Sequence, residues 1–214
     1  MIDKHIVNIG YPRCGTSWLW KCSGFEPRDD KEENLLLEDL NFEQYVKYYS
    51  QHRISANFHT NLWHMDTELI KFVQHHASHI TLIVRNPFDF VERFFDWIYT
   101  DQTSAETLTD FIVYRGYVQY HDIVMRWGSS AKKFQIFYFD DLEKDPYGFF
   151  TEYMKFCQIP VVKNPNINYT QKVNANPKKE KTKINFTVDQ TKFINHQIDL
   201  FQSVVDRDLT HWKK

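Results

Sequence analysis

Four short apolar runs limit most strongly how this chain folds: HIVNIG (5–10), RISANF (53–58), HITLIVR (79–85) and FQIFYF (134–139). Each has the length of a strand and is apolar on consecutive positions, as strands covered on both faces are. Helical patterns lie between them. Asp66 suits the N-cap of a helix whose Leu69, Ile70, Phe72, Val73 and Ala77 share one face. Pro87 fits the first turn of the next helix, with Val91, Phe94, Phe95 and Ile98 as its apolar stripe. Thr103 and Glu106 form a capping box for 105–114, and 117–127, 147–157 and 188–206 also read as helices. Strands alternating with helices predict an α/β fold of three layers around a central parallel sheet. Ligands of such sheets bind beyond the carboxyl ends of the strands.

No internal repeat is visible, and 214 residues suit one domain over 1–214. Within it, 163–187 reads as a long basic loop and 188–214 as a C-terminal helix and tail. Aromatic residues make up 17% of the chain, ample for a buried core. A net charge of −2 gives no global attraction to nucleic acid or to an anionic membrane, so any polyanion site must be local. The three cysteines, Cys14, Cys22 and Cys157, have no metal-like spacing. MIDKHIVNIG enters a strand at once, without the apolar core of a leader, and no run approaches the ~20 residues of a membrane span. A cytoplasmic protein that neither enters a membrane nor binds nucleic acid is expected.

The first strand runs into GYPRCGTSWLW, a strand–loop–helix joint. Gly10 and Gly15 have the G-x-x-x-x-G spacing of a phosphate-cradling loop, but Thr16 and Ser17 follow where that loop continues with lysine. The cation sits inside the loop instead, as Arg13. Gly15 lets backbone N–H groups face an anion, and Thr16, Ser17 and the helix N-terminus add donors and partial positive charge. Arg13 supplies a planar, bidentate charge suited to an oxyanion.

YPRCGTSWLW resembles the 5′-phosphosulfate loop of sulfotransferases: a proline, a basic residue, a variable residue, then Gly-Thr-Thr or Gly-Thr-Ser. Two further landmarks of that family follow in order. TLIVRNPFDFVERFFDWIY supplies a strand ending in Arg85-Asn86-Pro87, and FQIFYFDDLEKDP supplies an aromatic strand with an acidic pair and Asp-Pro. The resemblance spans about residues 5–160. It implies a donor substrate, 3′-phosphoadenosine 5′-phosphosulfate (PAPS), no metal, and transfer of the sulfuryl group to an acceptor hydroxyl or amine. The acceptor would be a carbohydrate or small molecule that the motifs leave unidentified.

By the same resemblance, Arg13 would bridge the 5′-phosphate and the departing oxygen, while Thr16, Ser17 and the backbone amides of Cys14, Gly15, Thr16, Ser17 and Trp18 hold the 5′-phosphate. Arg85 would bind the 3′-phosphate. The family carries a serine eight residues beyond that arginine as a second ligand; here the position is Arg93, which either contacts the phosphate or points to solvent. The catalytic base is open between Glu32, in a Lys-Glu pattern with Lys31, and His59, just after the second strand beside Thr60. Trp18 and Phe139 either border the adenine or belong to the core, and Lys178 and Lys179 either close over the nucleotide or form a basic surface loop.

Two other readings stay open. One is a Mg-dependent nucleotide kinase, supported by the glycine spacing and by Asp140 and Asp141 at a strand end. The other is a catalytically degenerate nucleotide-binding member of the family.

Overall fold

The structure, a computed structural model, describes residues 4–25, 42–58, 62–98, 105–128, 133–161, 163–170 and 184–214, with the side chains of 95–98, 105 and 106 excepted. It divides into two compact units, one of residues 1–84 and 127–175, the other of 85–126 and 176–214.

The first unit holds the sheet. Strands β1 (Lys4–Asn8), β2 (Ile54–Asn57), β3 (His79–Val84) and β4 (Phe134–Tyr138) pair in the order β2-β1-β3-β4, all parallel. Val7 faces Ile80 across one ladder and Asn57 across the other, and Val84 pairs with Tyr138. The order reverses at the central pair: β1 leads outward to β2, β3 outward to β4. The carboxyl ends of β1 and β3 therefore flank the switch point at which such sheets bind ligands.

Helix α1 (Thr16–Ser23) follows β1, and α2 (Phe42–Tyr49) and α3 (Thr67–His76) precede β3. Asp66 caps α3 as its sequence requires, accepting from Leu69 N at 2.8 Å. Side chains alternate across a strand, so His5 and Asn8 point to opposite faces. His5 meets Tyr45 and Tyr49 of α2, and Phe72 of α3 packs on Phe42 and Tyr45 of the same helix. On the Asn8 face lies α8 (Pro146–Phe156), whose Phe149 and Tyr153 pack on Phe137, with Trp18 of α1 against Phe149. The three layers are those that alternating strands and helices imply.

One strand departs from expectation. In β4 only Phe137 is buried, whereas β2 at the opposite edge has Ser55, Ala56 and Asn57 buried. Beyond it, α7 (Phe139–Lys144) starts without a break, and Asp145 caps α8 by accepting from Gly148 N at 3.0 Å, with Pro146 in its first turn.

The second unit is helical: α4 (Pro87–Ile98), α5 (Ala105–Thr109), most of α6 (Tyr120–Gly128) and α9 (Val188–Gln202). The expected helix 105–114 is α-helical only to Thr109 and continues as a π-helical turn, Asp110–Tyr114, with Arg115 N bonded to Asp110 O at 3.2 Å. Phe90, Phe94, Phe111 and Tyr117 form its aromatic core, and Phe201 joins Tyr120 to Trp212. Thr187 and Gln190 form a reciprocal capping box on α9, which ends at Gln202, short of the expected 206. Thr103 lies outside the described residues. Among the described residues no helix is long and apolar enough to cross a membrane.

Candidate functional site

The loop between β1 and α1 is held open by two backbone conformations that few residues adopt. Gly15 has φ 85° and Arg13 φ 63°, both in the left-handed region. For Gly15 this is cheap; for arginine it costs about 1–2 kcal/mol, the kind of strain that concentrates at functional sites. Gly15 is also hemmed in: a Cβ there would lie 2.5 Å from Leu142 Cδ2 and 3.3 Å from the Phe139 ring. Phe139 thus packs against the loop, half-buried.

Gly15 is the N-cap of α1, and its carbonyl accepts from Leu19 N at 3.0 Å, where the helical ladder begins. The amides of Thr16, Ser17 and Trp18 precede that ladder and have no partner within it. A glycine cap brings no side chain to compete for them, and the first turn of α1 holds no acidic residue. By contrast α3 carries Glu68 in its first turn, and α7 carries Asp140 and Asp141. The N-terminus of α1 is the chemistry of an anion site. Arg13 and Ser17 are half-buried beside it, whereas the Cys14 and Thr16 side chains are buried, so these two offer the site their amides.

The Trp18 indole is 6% exposed, and its N–H donates to the Tyr169 carbonyl at 3.0 Å. Gly10, the other half of the glycine spacing, is not part of the cradle. Its N–H donates to Asn8 Oδ1 at 3.0 Å, and a Cβ on it would lie 3.2 Å from Ile83 N. The glycine is needed for the close approach of β1 to β3, and the anion-facing stretch starts after it.

Arg85 directly follows β3 and is 7% exposed. Its carbonyl accepts from the Tyr120 hydroxyl at 2.9 Å. The next two residues explain the motif. Asn86 Oδ1 accepts from Phe88 N at 3.0 Å, Asn86 O accepts from Phe90 N at 2.8 Å, and Pro87 opens α4. Asn86-Pro87 and Asp145-Pro146 are therefore the same device, a side-chain cap followed by a first-turn proline. It ends the extended backbone sharply and leaves Arg85 at the strand's tip. Arg93 is half-buried on α4.

Glu32, Lys31, His59, Thr60, Lys178 and Lys179 lie outside the described residues. Asp140 and Asp141 fall in the first turn of α7, and among the described residues no three His, Cys, Asp or Glu side chains converge as a metal-holding group. Motif reading missed Asn8, Thr81, Tyr153 and Leu142, which hold the loop from behind. An asparagine inside the apolar run HIVNIG was the available signal for the first of them.

Comparison with solved structures places this fold among sulfotransferases. A sulfotransferase from Alicyclobacillus acidocaldarius superposes with a TM-score of 0.65 at 13% identity, covering 100% of this chain and 99% of that one. Mouse sulfotransferase SULT7A1, complexed with PAP, gives a TM-score of 0.63 at 17% identity, covering 95% and 85%. No family model and no curated protein sequence matches the chain. The chain has the sulfotransferase fold, with a phosphate-type loop at its first strand.

Proposed function

We propose that this protein transfers a sulfuryl group from PAPS to an acceptor hydroxyl or amine by in-line displacement. The observation that carries the reading is the N-terminus of α1: a glycine cap, no acidic residue in the first turn, and Arg13 held at positive φ beside it. The fold, and the PAP bound to mouse SULT7A1, agree with it.

In this reading the amides of 14–18 and the Ser17 hydroxyl hold the 5′-phosphate, and Arg85 takes the 3′-phosphate, with Arg93 as a second cation. The bond between sulfur and the bridging oxygen breaks while sulfur bonds to the acceptor oxygen or nitrogen. Arg13 stabilises the charge that develops on the bridging oxygen, and the acceptor's proton passes to His59 or Glu32. Positioning the two substrates in line contributes up to about 7–11 kcal/mol of the barrier reduction. The acceptor is a carbohydrate or small molecule, and the protein works in the cytoplasm as one domain.

The test is thermal unfolding with PAP, ADP and Mg-ATP, each with and without EDTA. A ligand at 100 times its dissociation constant adds about 2.7 kcal/mol, roughly 5–10 °C at this length. A shift with PAP that ignores EDTA supports the donor site. A shift with Mg-ATP alone replaces this reading with a nucleotide kinase.

A further inference from the structure

Behind the loop, fully buried, runs a chain of polar side chains from β1, β3 and α8. Asn8, the last residue of β1, is 0% exposed. Its Oδ1 accepts from Gly10 N at 3.0 Å and its Nδ2 donates to Thr81 Oγ1 at 2.9 Å, across the ladder to β3. Thr81 Oγ1 lies 3.0 Å from the Tyr153 hydroxyl of α8. The Thr81 carbonyl accepts from Ile9 N at 2.9 Å, so both amides that leave β1 are tied to Asn8 or Thr81. A buried polar group persists only where its hydrogen bonds are made. Here they fix the direction in which the chain leaves the sheet, and no other bond described reaches Gly10 N.

We propose that Asn8, supported by Thr81 and Tyr153, is a positioning residue for the 5′-phosphate of the donor: it holds the start of the loop so that the amides of 14–18 converge on that phosphate. This rests on the donor reading above. Asn8 touches no ligand. It acts through Gly10, which the close contact with Ile83 keeps flush against β3. Loop and helix N-terminus are then aimed by a side chain on the strand, and preorganised amides bind an anion better than amides that must be ordered on binding.

The experiment compares two ligands that differ only in the 5′-phosphate, PAP and adenosine 3′-phosphate, by calorimetric titration of the full chain. Asn8→Ala and Thr81→Val should weaken PAP by about tenfold, as loss of a buried hydrogen bond implies, with affinity for adenosine 3′-phosphate within about twofold of wild type. Thr81→Ser, which keeps the hydroxyl, should restore PAP affinity. Tyr153→Phe removes only the last hydroxyl, gives a smaller loss in the same direction, and serves should the first two variants fail to fold. Equal weakening of both ligands, or unchanged PAP affinity in folded variants, would overturn the positioning role and leave the donor site standing. Failure of the wild type to prefer PAP over adenosine 3′-phosphate overturns the donor reading, and this assignment with it.

Discussion

Leu142 fills the space beside Gly15 so closely that a Cβ at position 15 would lie 2.5 Å from its Cδ2. Two independent constraints thus fall on one residue, the contact and a φ of 85°. Gly15→Ala should destabilise the fold by about 2–4 kcal/mol, combining the left-handed penalty with overpacking. It should also lower PAP affinity, since the helix cap must shift. Chemical denaturation with a parallel PAP titration checks both, and a stable variant with intact affinity would contradict the geometry.

Arg13 carries backbone strain of its own, at φ 63°. Arg13→Gly should relieve that strain, because glycine adopts positive φ freely, and so offset part of what is lost with the side chain's own contacts. Turnover should fall by about 10²–10³, the usual loss of one group that stabilises developing charge, and by more than donor affinity falls. Comparing kcat, donor Kd and unfolding midpoint separates the three. Unchanged turnover removes Arg13 from the mechanism.

Arg85→Ala should weaken PAP by about 10–100-fold, the range for hydrogen bonds to a charged group, while adenosine 5′-phosphate is nearly unaffected. Equal losses for the two nucleotides would refute the 3′-phosphate role.

His59→Ala and Glu32→Gln, assayed side by side, should leave one variant nearly inactive with its unfolding transition intact. Turnover retained in both would show that neither is the base.

Acid should loosen the fold below about pH 6.5. Burial, with a smaller contribution from His76, holds His5 down at about 3, and its ring nitrogens bond Ser55 and Tyr45 at 2.9 and 2.7 Å. Burial, then Lys133 and Lys4, lowers His79 to about 4. Both histidines stay neutral in the folded chain but take up a proton near pH 6.5 once unfolded. The unfolded state then binds more protons, so stability is full above about pH 6.5 and falls as pH drops towards 4. For His5 the slope is at most about 1.4 kcal/mol per pH unit. Urea unfolding at several pH values from 7.5 downward tests it, and His5→Gln should flatten the slope.

Much of the candidate site was readable in the primary structure because its signals are local. The four strands, the Asp66 cap, Asn86 and Asp145 each followed by proline, and the glycine at the start of α1 all act within a few residues. The resemblance to sulfotransferases rests on these same short stretches. Less visible was which glycine faces the anion: Gly10 and Gly15 look alike in a spacing pattern, but Gly10 N is bonded to Asn8. The possible bases in 31–32 and 59–60 remain sequence proposals.

What the sequence determined by itself was the alternation of strands and helices, their caps, and the loop whose backbone requires glycine. These follow from dihedral preferences and from hydrogen bonds that close over a few residues. What only the tertiary structure decided was the strand order β2-β1-β3-β4, the partial burial of β4 against the burial of β2, the burial of Arg85, and the link from Asn8 to Thr81 across 73 residues. Such features depend on which surfaces complement one another after the chain has closed long loops, a choice that local propensity does not encode.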